Sequence, residues 1–216
     1  GVADVVFSRS QSEYTDDNNG GLKLRVDRLV NQGADVIVSI HLNSAASGNA
    51  YGAEVWTPNN SKYDDAYYVG NDLARCIADE LGKLGLTLRG GGVKEDGSLS
   101  DGSDYYGIIR HARNAGKAGI IVEHAFINNS NDYWNHLSDD TKLQQLGVAD
   151  ATGIANYFGL VKWSWDAKVT VKDLGNGQFG IYVDNSNAPA GISKVRIPVW
   201  GAAGGQNDLI WYNATL

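Results

Sequence analysis

The sequence predicts an α/β domain with a mostly parallel sheet flanked by helices, followed by a partial all-β module. Over residues 1–160, short β-branched apolar runs alternate with longer segments of helical period, which is typical of an α/β fold. Some of these runs are apolar at nearly every position, as in strands buried on both faces. From residue 163 the pattern becomes short alternating runs separated by Gly and Asn turns, which favours β structure. We therefore expect two domains, at residues 1–160 and 163–216.

The first elements are predicted to be a strand, a helix and a second strand. Residues 2–7 are a short apolar run that predicts a strand, and the polar, Gly- and Asn-rich residues 8–21 predict a loop. The apolar spacing over residues 22–30 predicts a helix that ends by Gly33. Residues 34–40 then predict a strand covered on both faces.

The remaining elements continue the alternation. In chain order they are a strand at 52–56, a long amphipathic helix at 64–84, a Gly-, Ser- and Asp-rich loop at 87–104, a buried strand at 117–123 and a closing helix at 141–158. The segment 105–114 fits either a helix or a strand. The sequence thus predicts the order of the elements over most of the first domain.

The charge and hydropathy of the chain exclude two classes of partner. The formal net charge is −7 and the pI is about 5.0, whereas neutralising a nucleic-acid backbone requires clustered Lys and Arg. No stretch approaches the roughly 20 apolar residues of a membrane span. The single cysteine, Cys76, cannot form a disulfide within the chain. We therefore expect a globular protein with no nucleic-acid partner and no membrane span.

Two predicted strands end in residues that can carry chemistry. His41 directly follows the apolar run that ends at Ile40, and Glu123 directly follows the run that ends at Val122. In open α/β sheets, active sites gather at the carboxyl ends of the strands. A neutral imidazole binds zinc, and a carboxylate beside an attacking water takes its proton as general base. His41 and Glu123 are therefore the candidate site residues.

Each candidate also has a structural interpretation. A single histidine at a strand end, such as His41, is usually a hydrogen-bonded structural or surface residue. A carboxylate that leaves an apolar strand is less common, because burying it without a partner costs free energy, so Glu123 points more strongly to function. The other histidines, His111, His124 and His136, are predicted to be structural or solvated.

The segments around both candidates resemble one family. Residues 39–44 read Ser-Ile-His-Leu-Asn-Ser, and residues 123–129 read Glu-His-Ala-Phe-Ile-Asn-Asn. Together with residues 52–56 and 89–94, and in this order, they resemble the zinc amidases of peptidoglycan that are widespread in Gram-positive bacteria and their phages. The resemblance covers roughly residues 2–160, and its Ser-Ile-His-x-Asn and Glu-x-x-Phe-Ile-x-Asn motifs are strong in combination.

The resemblance implies an N-acetylmuramoyl-L-alanine amidase, with a zinc ion held by two His and one Glu and a further Glu as catalytic base. His41 matches the second histidine ligand, and Glu123 matches the catalytic glutamate. The implied reaction is hydrolysis of the amide that joins the lactyl group of N-acetylmuramic acid to L-alanine in peptidoglycan. Zinc would polarise the carbonyl and activate water, and Glu123 would relay the proton to the leaving amine. The implied location is secreted or associated with the bacterial cell wall.

The sequence departs from this family near its start. The family's first His lies in a Gly-His-Gly-Gly turn and its Glu ligand on the helix that follows, but no histidine of this chain is followed by Gly. We expect that the chain begins after the first strand and helix of the domain, and so after two of the three metal ligands. The alternative is a degenerate domain without catalysis. A smaller departure is Ala125, where the family has Gly.

Residues 163–216 resemble the Bsp-like repeats attached to streptococcal and clostridial wall hydrolases. The resemblance rests on residues 195–200 and 208–212, and it implies a role in wall attachment. The aromatic residues of this module either stack on sugars or form a small core, and their alternation along the strands favours the core.

Three functions fit these observations. The main expectation is a secreted amidase that acts on peptidoglycan. The chief alternative is a catalytically inactive, amidase-like protein that binds the cell wall. A third is a zinc peptidase of another type, which would cut peptide bonds instead, and digestion of defined muropeptides distinguishes it by the bond that is cut.

Overall fold

A computed structural model describes residues 3–10, 13, 20–160, 168–176, 178–184, 196–199 and 210–213. The chain divides into two compact units, Gly1–Val161 and Lys162–Leu216. The candidate site residues both belong to the first unit.

The first unit is built on a four-stranded sheet. Its strands are β1 (Val36–Asn43), β2 (Ala53–Thr57), β3 (Leu88–Glu95) and β4 (Ala118–Phe126), and they lie in the order β1-β4-β2-β3. β1 pairs parallel with β4 and β2 pairs parallel with β3, while β2 and β4 are antiparallel. The expected α/β fold with a mostly parallel sheet is confirmed.

Helices cover both faces of this sheet. They are α1 (Gly21–Asn31), α2 (Asp65–Lys83), α3 (Gly107–Asn114), α4 (Ser130–Asp132) and α5 (Asp140–Tyr157), with a π-helical stretch at Tyr133–Leu137 between the last two. None of the helices within the described residues is long and apolar enough to cross a membrane.

The core lies in two layers, one on each face of the sheet. Ile120 and Val122 of β4 pack with buried residues of α2 and α5, whereas Ile121 packs with buried residues of α1 and α3. This alternation follows from the two-residue period of a strand. It also decides which face the next residues of β4 point to, and hence where the candidate site lies.

The two longest helices begin at aspartates that cap them. Asp64 accepts a hydrogen bond from the Tyr67 amide at 3.0 Å, and Asp139 accepts one from the Lys142 amide at 3.0 Å. Such caps satisfy amides that have no partner within the helix. They fix the starts of α2 and α5, the helices that cover one face of the sheet.

Two predicted elements were wrong, and the structure resolves the one that was left open. The described part of the predicted strand at 2–7 forms no strand, and its apolar residues Val5 and Phe7 are about four-fifths exposed. The predicted loop at 87–104 contains β3, whose glycines Gly90–Gly92 have positive φ and hide the strand pattern. In the ambiguous segment at 105–114, residues 107–114 form the helix α3.

The second unit contains two antiparallel strand pairs among its described residues. β5 (Lys168–Gly175) pairs with β6 (Gln178–Asp184), and β7 (Arg196–Val199) pairs with β8 (Ile210–Asn213). Phe179 and Tyr182 are at least half exposed, so for these two aromatic residues the expectation of a core position was wrong. The aromatic residues Trp163, Trp165 and Trp200 lie outside the described residues.

Candidate active site

The sheet register places three side chains that can take part in acid–base or metal chemistry next to each other, in a row formed by His41, Glu123 and Glu54. His41 on β1 is the register partner of Glu123 on β4, and Glu123 is also the partner of Glu54 on β2. All three positions alternate with the α2/α5 core residues, so they belong to the face covered by α1 and α3. The structure therefore brings together the two residues predicted from sequence and adds a buried carboxylate, Glu54, that the prediction missed.

His41 lies on an exposed part of β1. Its Nε2 atom is 2.9 Å from the hydroxyl oxygen of Ser39. Ser39 lies two positions earlier in β1, on the same face of the strand. A hydroxyl both donates and accepts, so this contact suits either tautomer of the imidazole. It restricts the orientation of the ring at the end of the strand.

Glu123 is a partly buried carboxylate that lies in register with a second carboxylate, Glu54. Its Oε2 atom is buried and has no hydrogen-bond partner among the described residues. Burial, followed by the negative charge of Glu54, raises the pKa of Glu123 to about 7, and the nearby His124 opposes this only in part. A carboxyl group with this pKa exchanges protons readily near neutral pH, as a general base must.

Glu54 differs from Glu123 because it is surrounded by donors. It is 4% exposed, and it accepts a hydrogen bond from Asn43 Nδ2 at 2.9 Å and lies 3.2 Å from Arg89 Nε. Lys94 forms a further ion pair with it. The row thus holds one carboxylate that pairs with two cations, Glu54, beside one whose pKa is raised, Glu123.

The segments that follow β1 and β4 are tied to each other. The Asn128 side chain accepts a hydrogen bond from the Ala45 amide at 3.2 Å and donates one to the Ala45 carbonyl, and the Ile127 amide donates to the Asn43 carbonyl at 2.9 Å. Asn129 donates to the Gly48 carbonyl at 3.0 Å. These bonds fix the two loops that border His41 and Glu123.

His124 points to the opposite face from Glu123 and is 3% exposed. Its Nδ1 atom donates to the His41 carbonyl oxygen at 3.1 Å, and its Nε2 atom lies 2.8 Å from Asp150 Oδ2 on α5. Burial lowers the pKa of His124, but the hydrogen bond to Asp150 and the charge of Asp150 outweigh this and the pKa lies above its ordinary value. Its predicted structural role agrees with this burial and bonding.

The other two histidines lie away from the row of register partners. His111 is on α3 and His136 is in the π-helical stretch. In both cases burial lowers the pKa of the imidazole, which favours the neutral form.

The described residues do not by themselves complete a zinc site. Among them, no group of three or more His, Cys, Asp or Glu side chains is placed to hold a metal ion, whereas a catalytic zinc needs three protein ligands. Of the three residues in the row, Glu54 already pairs with Arg89 and Lys94. His41 is the donor that suits the metal.

Comparison with known families gives two matches. Residues 1–156 match the N-acetylmuramoyl-L-alanine amidase family, and residues 168–216 match the GBS Bsp-like repeat. The first match covers well over half of the chain. No curated protein matches the chain at a significant level.

Solved structures with a similar fold include three clostridial and bacillar proteins. Cwp6 from Clostridium difficile has a TM-score of 0.59 at 24% identity over 70% of this chain, but the match spans only 22% of the Cwp6 chain. The catalytic domain of the amidase CwlV from Bacillus (Paenibacillus) polymyxa var. colistinus has a TM-score of 0.55 at 23% identity, with 73% of this chain and 74% of that one covered. The CwlD amidase from Clostridioides difficile, solved in complex with the GerS lipoprotein, has a TM-score of 0.54 at 23% identity over 71% of this chain and 75% of that one. At these identities the likeness establishes the fold.

Proposed function

Because the chain belongs to the N-acetylmuramoyl-L-alanine amidase family over residues 1–156, we propose that it hydrolyses the amide between N-acetylmuramic acid and L-alanine in peptidoglycan. Glu123 is the general base in this proposal, and His41 is a metal ligand. The observation that carries the proposal is the pairing of His41 with Glu123 across β1 and β4. It puts an imidazole, a group that can bind zinc, beside a carboxylate whose buried Oε2 atom has no hydrogen-bond partner among the described residues.

Glu123 has the properties that amide hydrolysis requires of a base. Its pKa of about 7 lets it take a proton from the attacking water and then give it to the leaving amine of L-alanine. The negative charge of Glu54, which pairs with Arg89 and Lys94, is the second cause of this raised pKa after burial. This charge favours the protonated form of Glu123, the form that delivers the proton to the leaving group.

The amidase family is generally zinc-dependent, and zinc supplies polarisation of the scissile carbonyl and acidification of water when it is bound. His41 would hold it through one ring nitrogen. The described residues offer no complete set of ligands beside His41, so the steps assigned to this chain are the proton transfers of Glu123.

The second unit fits a role at the cell wall. Residues 168–216 match the GBS Bsp-like repeat, and Phe179 and Tyr182 expose aromatic surface that suits stacking on sugar rings. The partner in this proposal is peptidoglycan, and the place of action is outside the cell or in the wall.

The test is digestion of defined muropeptides by the full-length natural protein. We expect release of new L-alanine amino termini, loss of that release after chelation, and recovery with added zinc. Glu123→Gln should lower turnover by about 10²- to 10⁴-fold, and His41→Ala should lower zinc binding. Glu95→Gln is the matched control, since it makes the same substitution at an exposed glutamate outside the row.

The contrary outcomes separate the other functions. Cleavage of a peptide bond in the same muropeptides would identify a peptidase of another type. A protein that cuts nothing and binds no zinc but sediments with cell walls would be an amidase-like wall-binding protein. Full activity of Glu123→Gln would remove Glu123 from the reaction.

A further inference from the structure

β1 and β4 change register directly beside His41. His41 pairs with Glu123, and Asn43 pairs with Phe126, so three residue steps on β4 face two on β1. An extra residue of this kind is a β-bulge, which interrupts the ladder and redirects side chains. His124 is the first residue of β4 within this bulge.

His124 connects the interrupted strand end to α5. Its Nδ1 atom donates to the His41 carbonyl at 3.1 Å, and its Nε2 atom is hydrogen-bonded to Asp150 Oδ2 at 2.8 Å. Both side chains are deeply buried, with 4% of His124 and 10% of Asp150 exposed. Because a carbonyl only accepts hydrogen bonds, Nδ1 carries a proton, and the contact of Nε2 with Asp150 fixes the other end of the ring.

We propose that His124 and Asp150 are positioning residues, which hold the backbone carbonyl of His41 and thereby fix the His41 side chain beside Glu123. We call the chain of hydrogen bonds from Asp150 through His124 to the His41 carbonyl the clamp. The assignment of His41 and Glu123 to the reaction rests on the proposed function, whereas the clamp itself rests on these two hydrogen bonds. His124 acts from the α5 face of the sheet and does not touch the substrate.

The location of His41 explains why a clamp has an effect there. His41 is exposed and lies near the end of β1. The register shift directly after it interrupts the ladder with β4 at this point. A displacement of about 1 Å in a catalytic group can lower turnover by about 10²-fold, so a bond that fixes the His41 backbone has a direct kinetic consequence.

Three substitutions in the full-length protein test the clamp. His124→Leu places an apolar side chain of similar size at this position and removes the donor to the His41 carbonyl. His124→Asn keeps a donor, since its amide nitrogen takes the place of Nδ1. Asp150→Asn also keeps the hydrogen bond from His124 to the His41 carbonyl. Its side-chain amide donates to Nε2 of His124, so the proton of the imidazole stays on Nδ1. His111→Leu, at a partly buried histidine of α3, is the matched control.

Two readouts are measured on each folded variant. The first is kcat and KM on muropeptides, where His124→Leu should lower kcat by about 10- to 100-fold with KM nearly unchanged, and His124→Asn and Asp150→Asn should recover most of kcat. The second is the ¹³C shift of the His41 carbonyl, which should move upfield in His124→Leu alone because the hydrogen bond is lost. Circular dichroism and thermal unfolding identify the variants that fold.

The result that overturns the clamp is an unchanged His41 carbonyl shift in folded His124→Leu. Equal loss of kcat in His124→Leu and His124→Asn would overturn it as well, since only one of them lacks the donor. If the natural protein itself frees no L-alanine amino termini, the proposed function fails. The ¹³C shift of the His41 carbonyl then still tests whether His124 holds this carbonyl.

Discussion

Glu123 and Glu54 are direct partners across the antiparallel pair of β4 and β2. Two carboxylates in register repel each other unless one is neutralised or protonated. Here Arg89 and Lys94 pair with Glu54, and Glu123 has the raised pKa. The raised pKa of Glu123 leads to two pH-dependent predictions.

The activity should depend on the protonation of Glu123. A base must be deprotonated, so kcat should rise with pH and reach half its maximum near the pKa of about 7. Glu54→Gln removes a negative charge that raises this pKa and leaves Arg89 and Lys94 nearby. We therefore expect the acidic limb of the pH profile to move to lower pH in this variant. A limb that stays in place or moves upward would contradict the pairing as the cause.

The stability should depend on the same proton with the opposite sign. The pKa of Glu123 is raised from 4.5 to about 7 in the folded state, so between these values the folded protein binds more protons than the unfolded chain. The free energy of unfolding therefore falls as pH rises through this window.

Glu123→Gln removes the titrating group, so this variant should lose the pH dependence of the free energy of unfolding that Glu123 causes. It should increase the free energy of unfolding at about pH 8 by on the order of 1 kcal/mol, after allowance for the partial exposure of the side chain, and change it little at about pH 4. Denaturant unfolding at both values measures the difference. Asp35→Asn, at an exposed position before β1, should show no such difference, and an equal effect at both pH values would argue against the proton as its source.

The packing of α2 against α5 depends on a glycine. A Cβ atom added at Gly153 would lie 2.6 Å from the Ile77 Cα and 2.8 Å from the Cys76 carbonyl oxygen. Gly153→Ala should therefore lower the free energy of unfolding by about 1–3 kcal/mol, because the helix backbones must move apart. Gly147→Ala in the same helix meets nothing within 4 Å and should raise it by roughly 0.5–1 kcal/mol. Urea unfolding of both variants measures this contrast, which equal effects would refute.

Arg113 neutralises a buried acid at the end of the sheet away from the candidate site. It lies 2.9 Å from Asp64 and 3.2 Å from Asp104, and the Asp104 side chain is 1% exposed. Arg113→Ala should lower the free energy of unfolding by about 3–5 kcal/mol, since it leaves that carboxylate buried and unpaired.

The control for this change is an exposed ion pair. Lys23 and Asp27 are 2.7 Å apart with 61% and 46% of their side chains exposed, so Lys23→Ala should cost less than about 1 kcal/mol. Thermal unfolding of both variants should separate them clearly. A loss for Arg113→Ala as small as that for Lys23→Ala would mean that Asp104 finds another partner or takes up a proton.

The sequence predicted His41 and Glu123 because each directly follows an apolar strand, a local signal that needs no tertiary structure. Glu54 could not be found in this way. It joins the row only because β2 lies antiparallel beside β4, and strand order is not encoded in the period of any single strand. The bonding of His124 was hidden for a related reason, since Asp150 is 26 positions away and reaches it only when α5 packs on the sheet.

The strand β3 shows a different limit of sequence patterns. Its Gly90–Gly92 stretch has no side chains to alternate, and its φ angles are positive, so it has the composition of a loop. Pairing with β2, with a register shift between Ala53 and Val55, makes it a strand. The helix predicted at 141–158 corresponds nearly in full to α5 (Asp140–Tyr157), because the pattern that predicts it lies within the segment itself.

The alternation along β4 also restricts how this protein can change in length over generations. Glu123 faces the candidate site and His124 faces α5 only because each strand residue points opposite to its neighbour. A one-codon insertion or deletion within the preceding part of β4 would exchange their faces, burying the acid under α5 and presenting the imidazole in its place. Gains and losses of codons in descendants that keep the site should therefore be confined to the loops between strands, while the interior of β4 changes by substitution alone.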